Sequence, residues 1–144
     1  MSLYVYARIQ KECLMEESFH KAIMTFFTPN DLISHKSVNG ITYENIDSDN
    51  SIVISFVKKK SPPYNVYDSV ILGGEFEYSQ LVIFDMLKEL STTDKYKCVI
   101  DFCIFLESKI DADILITSDA HDEICLLRGS ETFWMKNDYR QQWV

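Results

Sequence analysis

Basic side chains are scarce in this 144-residue sequence, where 14 lysines and arginines face 22 aspartates and glutamates for a formal charge of −8. Phosphate-rich partners demand compensating cations, so nucleic acid is excluded as the expected partner and an anionic membrane surface is disfavoured. No apolar run approaches the roughly 20 residues of a membrane span. The opening Met1-Ser2-Leu3-Tyr4-Val5-Tyr6-Ala7-Arg8 lacks the basic start, apolar stretch and cleavage site of a secretory leader. Those absences lead to the expectation of a soluble, cytoplasmic protein. Catalytic signatures are missing too: there is no GxSxG, CxxC, GxxxxGK[ST], GxGxxG or HxxxH pattern, and no cofactor is called for. The expected protein is therefore not an enzyme.

What is present is ordinary globular material. Apolar residues make up 47% and charged residues 25% of the chain, enough to bury a core without a staple, and the length suits a single domain over residues 1–144. Cys13, Cys98, Cys103 and Cys125 fall within apolar patterns and read as reduced thiols.

Alternation from Leu3 to Gln10 predicts a strand covered on one side. Leu14, Met15, Phe19, Ala22, Ile23, Phe26 and Phe27 recur at helical spacing, with a stop at Thr28-Pro29-Asn30. A hairpin follows, Ile41–Ile46 and Ser51–Val57, with Ile52, Ile54 and Phe56 inward and a turn at Asp47-Ser48-Asp49-Asn50. The stretch Lys58–Pro63 predicts a loop, and Val66–Leu72 a strand ending at Gly73-Gly74. From Phe76 to Leu90 an apolar stripe predicts a helix. A second helix, capped by Ser91-Thr92-Thr93-Asp94, places Cys98, Val99, Phe102, Cys103, Phe105 and Leu106 in the core. Ile114–Thr117 and Glu123–Arg128 form a second predicted hairpin, and Thr132–Met135 a last short strand. The expected architecture is α+β: a mixed, mostly antiparallel sheet with about three helices packed on it as one pair of layers.

Several clusters invite chemical readings. Asp119, His121, Asp122 and Glu123 could hold a divalent metal, although residues of these types also suit an exposed hairpin turn. Asp47-Ser48-Asp49-Asn50 begins like a calcium loop but lacks the glycine and bidentate glutamate. Glu107-Ser108-Lys109 has the ExK spacing of metal-dependent nucleases, but at a helix end and in an acidic protein. Cys125, within Ile124-Cys125-Leu126-Leu127, reads as a packed thiol. Gly73-Gly74 lies beside Glu75 and Glu77, which would repel a phosphate.

The strongest signal is a distribution of charge. Asp111, Asp113, Asp119, Asp122, Glu123 and Glu131 crowd the second predicted hairpin, with Arg128 the one basic residue among them. Trp134, Asp138, Tyr139 and Trp143 follow. Exposed aromatics beside carboxylates have the composition of an interface against a basic protein, because aromatics anchor and charges steer.

In small size, acidity and mixed α/β order the chain resembles the immunity proteins of bacterial toxin–immunity pairs, particularly those acting against contact-dependent growth inhibition toxins. The stretch Ile114-Leu115-Ile116-Thr117-Ser118-Asp119, followed by Glu123-Ile124-Cys125-Leu126-Leu127-Arg128, carries the same style. The resemblance implies neutralisation of a cognate toxin domain, often a basic nuclease, by a one-to-one complex that covers its active site or a neighbouring surface. Two other readings stand beside it: a small metal-dependent enzyme using the Asp119–Glu123 cluster, and a homodimer or homo-oligomeric adaptor joined through open strand edges.

Overall fold

Strand β1 (Ser2–Ile9) shows why the alternation matters: Val5, Ala7 and Ile9 are fully buried on one face, while Tyr4, Tyr6 and Arg8 occupy the other. The computed structural model describes residues 2–26, 32–45, 52–87, 92–120 and 122–143. After β1 come α1 (Glu16–Phe26), β2 (Leu32–Ser37), β3 (Gly40–Asn45), β4 (Ile52–Val57), β5 (Val66–Ser69), β6 (Gly74–Glu77) and β7 (Gln80–Leu87). The chain continues through α2 (Thr92–Glu107), β8 (Ile114–Ser118), β9 (Asp122–Arg128), β10 (Glu131–Trp134) and α3 (Asn137–Trp143).

Eight strands form one sheet in the order β10-β9-β8-β1-β7-β4-β3-β2, and every neighbouring pair is antiparallel. The fold is α+β, as expected, with all three helices contributing to the core on one face. Phe102 of α2 is a hub there, meeting Phe19, Phe26 and Phe84 edge-on with ring centroids 6.1, 5.5 and 5.9 Å away. Edge-to-face packing sets the positive ring edge against a negative π face and fixes the helices in register over the sheet. The single pair of layers was an underestimate. On the opposite face β5 and β6 form a separate two-stranded lobe, and Phe76, Tyr78, Leu81, Leu115 and Leu126 are buried beneath or within it.

The helix expected from Phe76 to Leu90 is instead β6 and β7, so far as the described residues reach. Strand β7 lies between β1 and β4 and buries both faces, Val82 and Phe84 towards the helices and Leu81 towards the lobe. A strand apolar on both sides has no alternation to betray it. Likewise the expected strand to Leu72 ends at Ser69, because the Gly73 amide donates to the Ser69 carbonyl at 3.0 Å and Gly73 takes φ +77°, turning the chain back into β6. Strand β2 had no sequence counterpart. The stop at Thr28–Asn30, the turn at Asp47–Asn50 and the cap at Ser91 lie outside the described residues.

Gly40 permits the β3–β4 approach, since a Cβ there would sit 2.0 Å from the Phe56 carbonyl oxygen. Beside it on β3, Tyr43 is wholly buried and its hydroxyl lies 2.7 Å from His20 Nδ1. Burial pushes the Tyr43 phenol up to about 12, with the Glu16 carboxylate adding to the effect. A folded-state value above the unfolded one stabilises the protein fully below about pH 10, and that contribution is lost as pH rises from there through about 12. Urea unfolding at about pH 9 and about pH 11 should therefore differ by about 1.3 kcal/mol in total from this group, most of it lost above pH 10. The Tyr43→Phe variant should lack that share of the slope, and an identical slope would refute the assignment.

Candidate functional site

The charge that is contiguous in sequence is divided in space. Ile114 pairs with Leu127 and Ser118 with Asp122, so the two ends of the β8–β9 hairpin stand about 14 Å apart. Asp111, Asp113 and Glu131 lie at one end, where Arg128 neutralises part of their charge. Its Nε donates to Asp113 at 2.7 Å, and Glu131 faces it across the β9–β10 pair. Asp119 and Asp122 lie at the other end, both exposed.

Three of the expected contact residues are internal. Tyr139 and Trp143 of α3 are 5% and 2% exposed, and their stacked rings lie 4.8 Å apart, with Trp143 4.6 Å from Tyr96 of α2. The aromatic tail is thus the last layer of the core and not an exposed anchor. Trp134 is half-buried against the same core, and exposed Asp138 occupies the first turn of α3, where the helix dipole favours a negative charge. The third internal residue is Glu123, at 3% exposure.

Glu123 has a structural task. Its carboxylate accepts hydrogen bonds from the Val70 amide at 3.0 and 2.9 Å and from the Ile71 amide at 3.2 Å, pinning the turn between β5 and β6 to the main sheet. The Leu72 amide donates to Ser69 Oγ at 3.0 Å, completing the turn. At the base of the lobe the Tyr78 hydroxyl donates to the Tyr64 carbonyl at 2.9 Å. Arg8 supplies the second anchor. Its guanidinium lies 4.5 Å from the ring centre of Tyr67 and 5.3 Å from those of Tyr6 and Tyr78, and it donates to the Thr117 hydroxyl. A planar cation suits such a cage because it stacks on aromatic faces and sheds water more readily than an ammonium.

What these anchors hold out is an apolar and acidic surface. Of the nine large apolar side chains exposed among the described residues, four lie here: Tyr64, Val66, Val70 and Leu72. Val70 is 71% and Tyr64 73% exposed, which a monomer gains nothing from. Asp68 and Glu75 oppose each other directly across the two strands, and Glu77 is exposed beside them. Like charges placed so are locally destabilising. Between Pro62 and Tyr78 there is no lysine, arginine or histidine. The sheet end carrying Asp119 and Asp122 adjoins the lobe: burial, then the charge of Glu123, raises the Tyr67 phenol, with Asp122 contributing. Burial, then the charge and hydrogen bond of Asp119, raises Tyr6.

This lobe was missed in the sequence because its charge is modest in number and its apolar residues read as strand. The one available signal was the absence of any basic residue over that stretch. Other singled-out residues have local structural contexts. Glu107 is buried and accepts from the Ser130 amide at 3.2 Å, holding the β9–β10 turn, whose Gly129 and Ser130 both have positive φ. Cys125 is buried, as its apolar run suggested, and burial raises its thiol far above the ordinary range. His121 lies outside the described residues, and among the described residues no three His, Cys, Asp or Glu side chains are grouped to hold a metal. Among the described residues, too, no helix is long and apolar enough to cross a membrane. No protein-family model, curated protein or solved structure matches the chain.

Glu123→Ala should strip two part-buried amides of a charged acceptor, costing about 1–3 kcal/mol. Hydrogen exchange at Val70 and Ile71 should accelerate ahead of the core strands. Asp119→Ala, at an exposed position, should change stability by no more than about 0.5 kcal/mol. Equal protection of the lobe in Glu123→Ala and the parent protein would show that the carboxylate does not hold it.

Proposed function

We propose that this protein binds and neutralises a cognate toxin domain of basic character, probed most directly as the toxin encoded beside it, by forming a one-to-one complex through the β5–β6 lobe. The observation that carries the reading is the lobe itself: exposed Tyr64, Val66, Val70 and Leu72 beside Asp68, Glu75 and Glu77, with no basic residue between Pro62 and Tyr78, on a mount secured by Arg8 and Glu123. Apolar side chains supply the desolvated centre that holds a partner, and carboxylates at the rim speed encounter with a cation-rich surface. Where that surface is a nuclease's substrate groove, the carboxylates occupy the positions of nucleic-acid phosphates. Asp119 and Asp122 extend the same negative field from the sheet end, whereas Asp111, Asp113 and Glu131 belong to the other end and to Arg128.

The lobe is also suited to its role mechanically. Its fixed backbone means that little conformational freedom is lost on docking, which is how preorganised surfaces gain affinity.

Titration calorimetry against the toxin domain, with and without Asp68→Lys, Glu75→Lys and Glu77→Lys combined, tests the proposal. The triple variant and Val70→Asp should each weaken binding by about a hundredfold, the scale of a strong interface contact, with the melting temperature little changed. Association should slow as ionic strength rises and the screening length falls below about 8 Å. Reversal of Asp111 and Asp113 should leave affinity intact. Unaltered binding in both lobe variants would rule this surface out as the interface.

A further inference from the structure

A second site lies on the helical side of the molecule, between α1 and the end of α2. Ser18, Ala22 and Thr25 of α1 are small and stand one helical turn apart, so α1 leaves a cavity of about 280 Å³ against Phe105, Leu106 and Ile110. Leu14, Ala22 and Leu106 are buried and form an apolar floor, while Lys21 and Lys109 are exposed at its mouth. The volume falls just under the usual range for drug-sized pockets, roughly 300–1,000 Å³, and so suits a small ligand.

The charge of this cavity is opposite to that of the protein. The depressions near β10, beside β2 and beneath the β9–β10 turn each include Asp or Glu among their walls. This one has two lysines and no carboxylate, in a chain of net charge −8. Among the described residues neither lysine has an ion-pair partner. Lys109 is held in place by its own neighbour, with Nζ 5.3 Å from the centre of the Phe105 ring that also lines the cavity.

Two ammonium groups over an apolar floor match one kind of molecule. We infer that the cavity binds a small amphipathic carboxylate, with the acid group between Lys21 and Lys109 and a short hydrocarbon or aryl body against Leu14, Ala22, Phe105, Leu106 and Ile110. The ammonium groups remain solvated until the anion arrives, so the head group confers selectivity and the floor most of the affinity. Cys13 on the wall is exposed, whereas Cys98 is partly and Cys103 and Cys125 wholly enclosed, which makes it a reporter of occupancy.

Calorimetry with sodium octanoate, and with octan-1-ol as its neutral counterpart, decides the matter. Octanoate should bind saturably and octanol about tenfold more weakly. Lys21→Met and Lys109→Met should each lower octanoate affinity by about tenfold, the worth of one charge-assisted contact, while Lys21→Arg retains it. Octanoate should also slow alkylation of Cys13. Lys109 follows the C-terminal end of α2, where a cation steadies the helix, so the unfolding midpoint of each variant is read alongside. Equal affinity for octanol, undiminished octanoate binding in both methionine variants, or no saturable heat with octanoate would each overturn the inference.

Discussion

Strand β1 is the seam on which both halves of this structure depend. It pairs with β7 over its full length and with β8 over Val5–Ile9, joining the two halves of the eight-stranded sheet. Its alternation then assigns a role to each face: Val5, Ala7 and Ile9 receive the helices, and Tyr6 and Arg8 receive the lobe. Because the strands it joins lie far along the chain, loop-closure entropy must be met before either pairing is rewarded, which makes this a topology of non-local contacts.

How much of this is legible in the sequence depends on whether a segment's burial pattern is one-sided. Strands β1 and β4 and helices α1 and α2 bury particular faces, and their periodicity reveals them; β9, enclosed on both faces, is legible instead as a short apolar run next to a turn. Strand β7 does not, because its sheet is covered by helices on one side and by the lobe on the other, so its apolar residues imitate a helical stripe. Short β2 presents the reverse difficulty, because Ser34, His35, Lys36 and Ser37 are polar and exposed and give no alternation to detect.

The site is harder to read than the fold for a related reason. Charge density along a sequence becomes charge density in space only if the chain stays in one place, and an extended hairpin carries its residues apart. Glu123 shows the same limit at a single position. Beside Asp122 it looks like one more surface acid, yet its neighbour is exposed and it is enclosed, a difference created by a loop some fifty residues earlier in the chain. Tyr139 and Trp143 are the aromatic counterpart: aromatics near a terminus suggest an anchor for a partner, but Tyr96 had a vacancy to fill.

The way Glu123 grips the lobe has an evolutionary consequence. It bonds to main-chain amides, which every residue except proline provides, so the attachment places almost no demand on which side chain stands at Val70. Ile71 faces inward and is constrained by packing, but Tyr64, Val66, Asp68, Val70, Leu72, Glu75 and Glu77 point away from the core. Those seven positions form a nearly independent alphabet. Recognition can be rewritten there by successive substitutions while the sheet, the helices and the anchor stay the same.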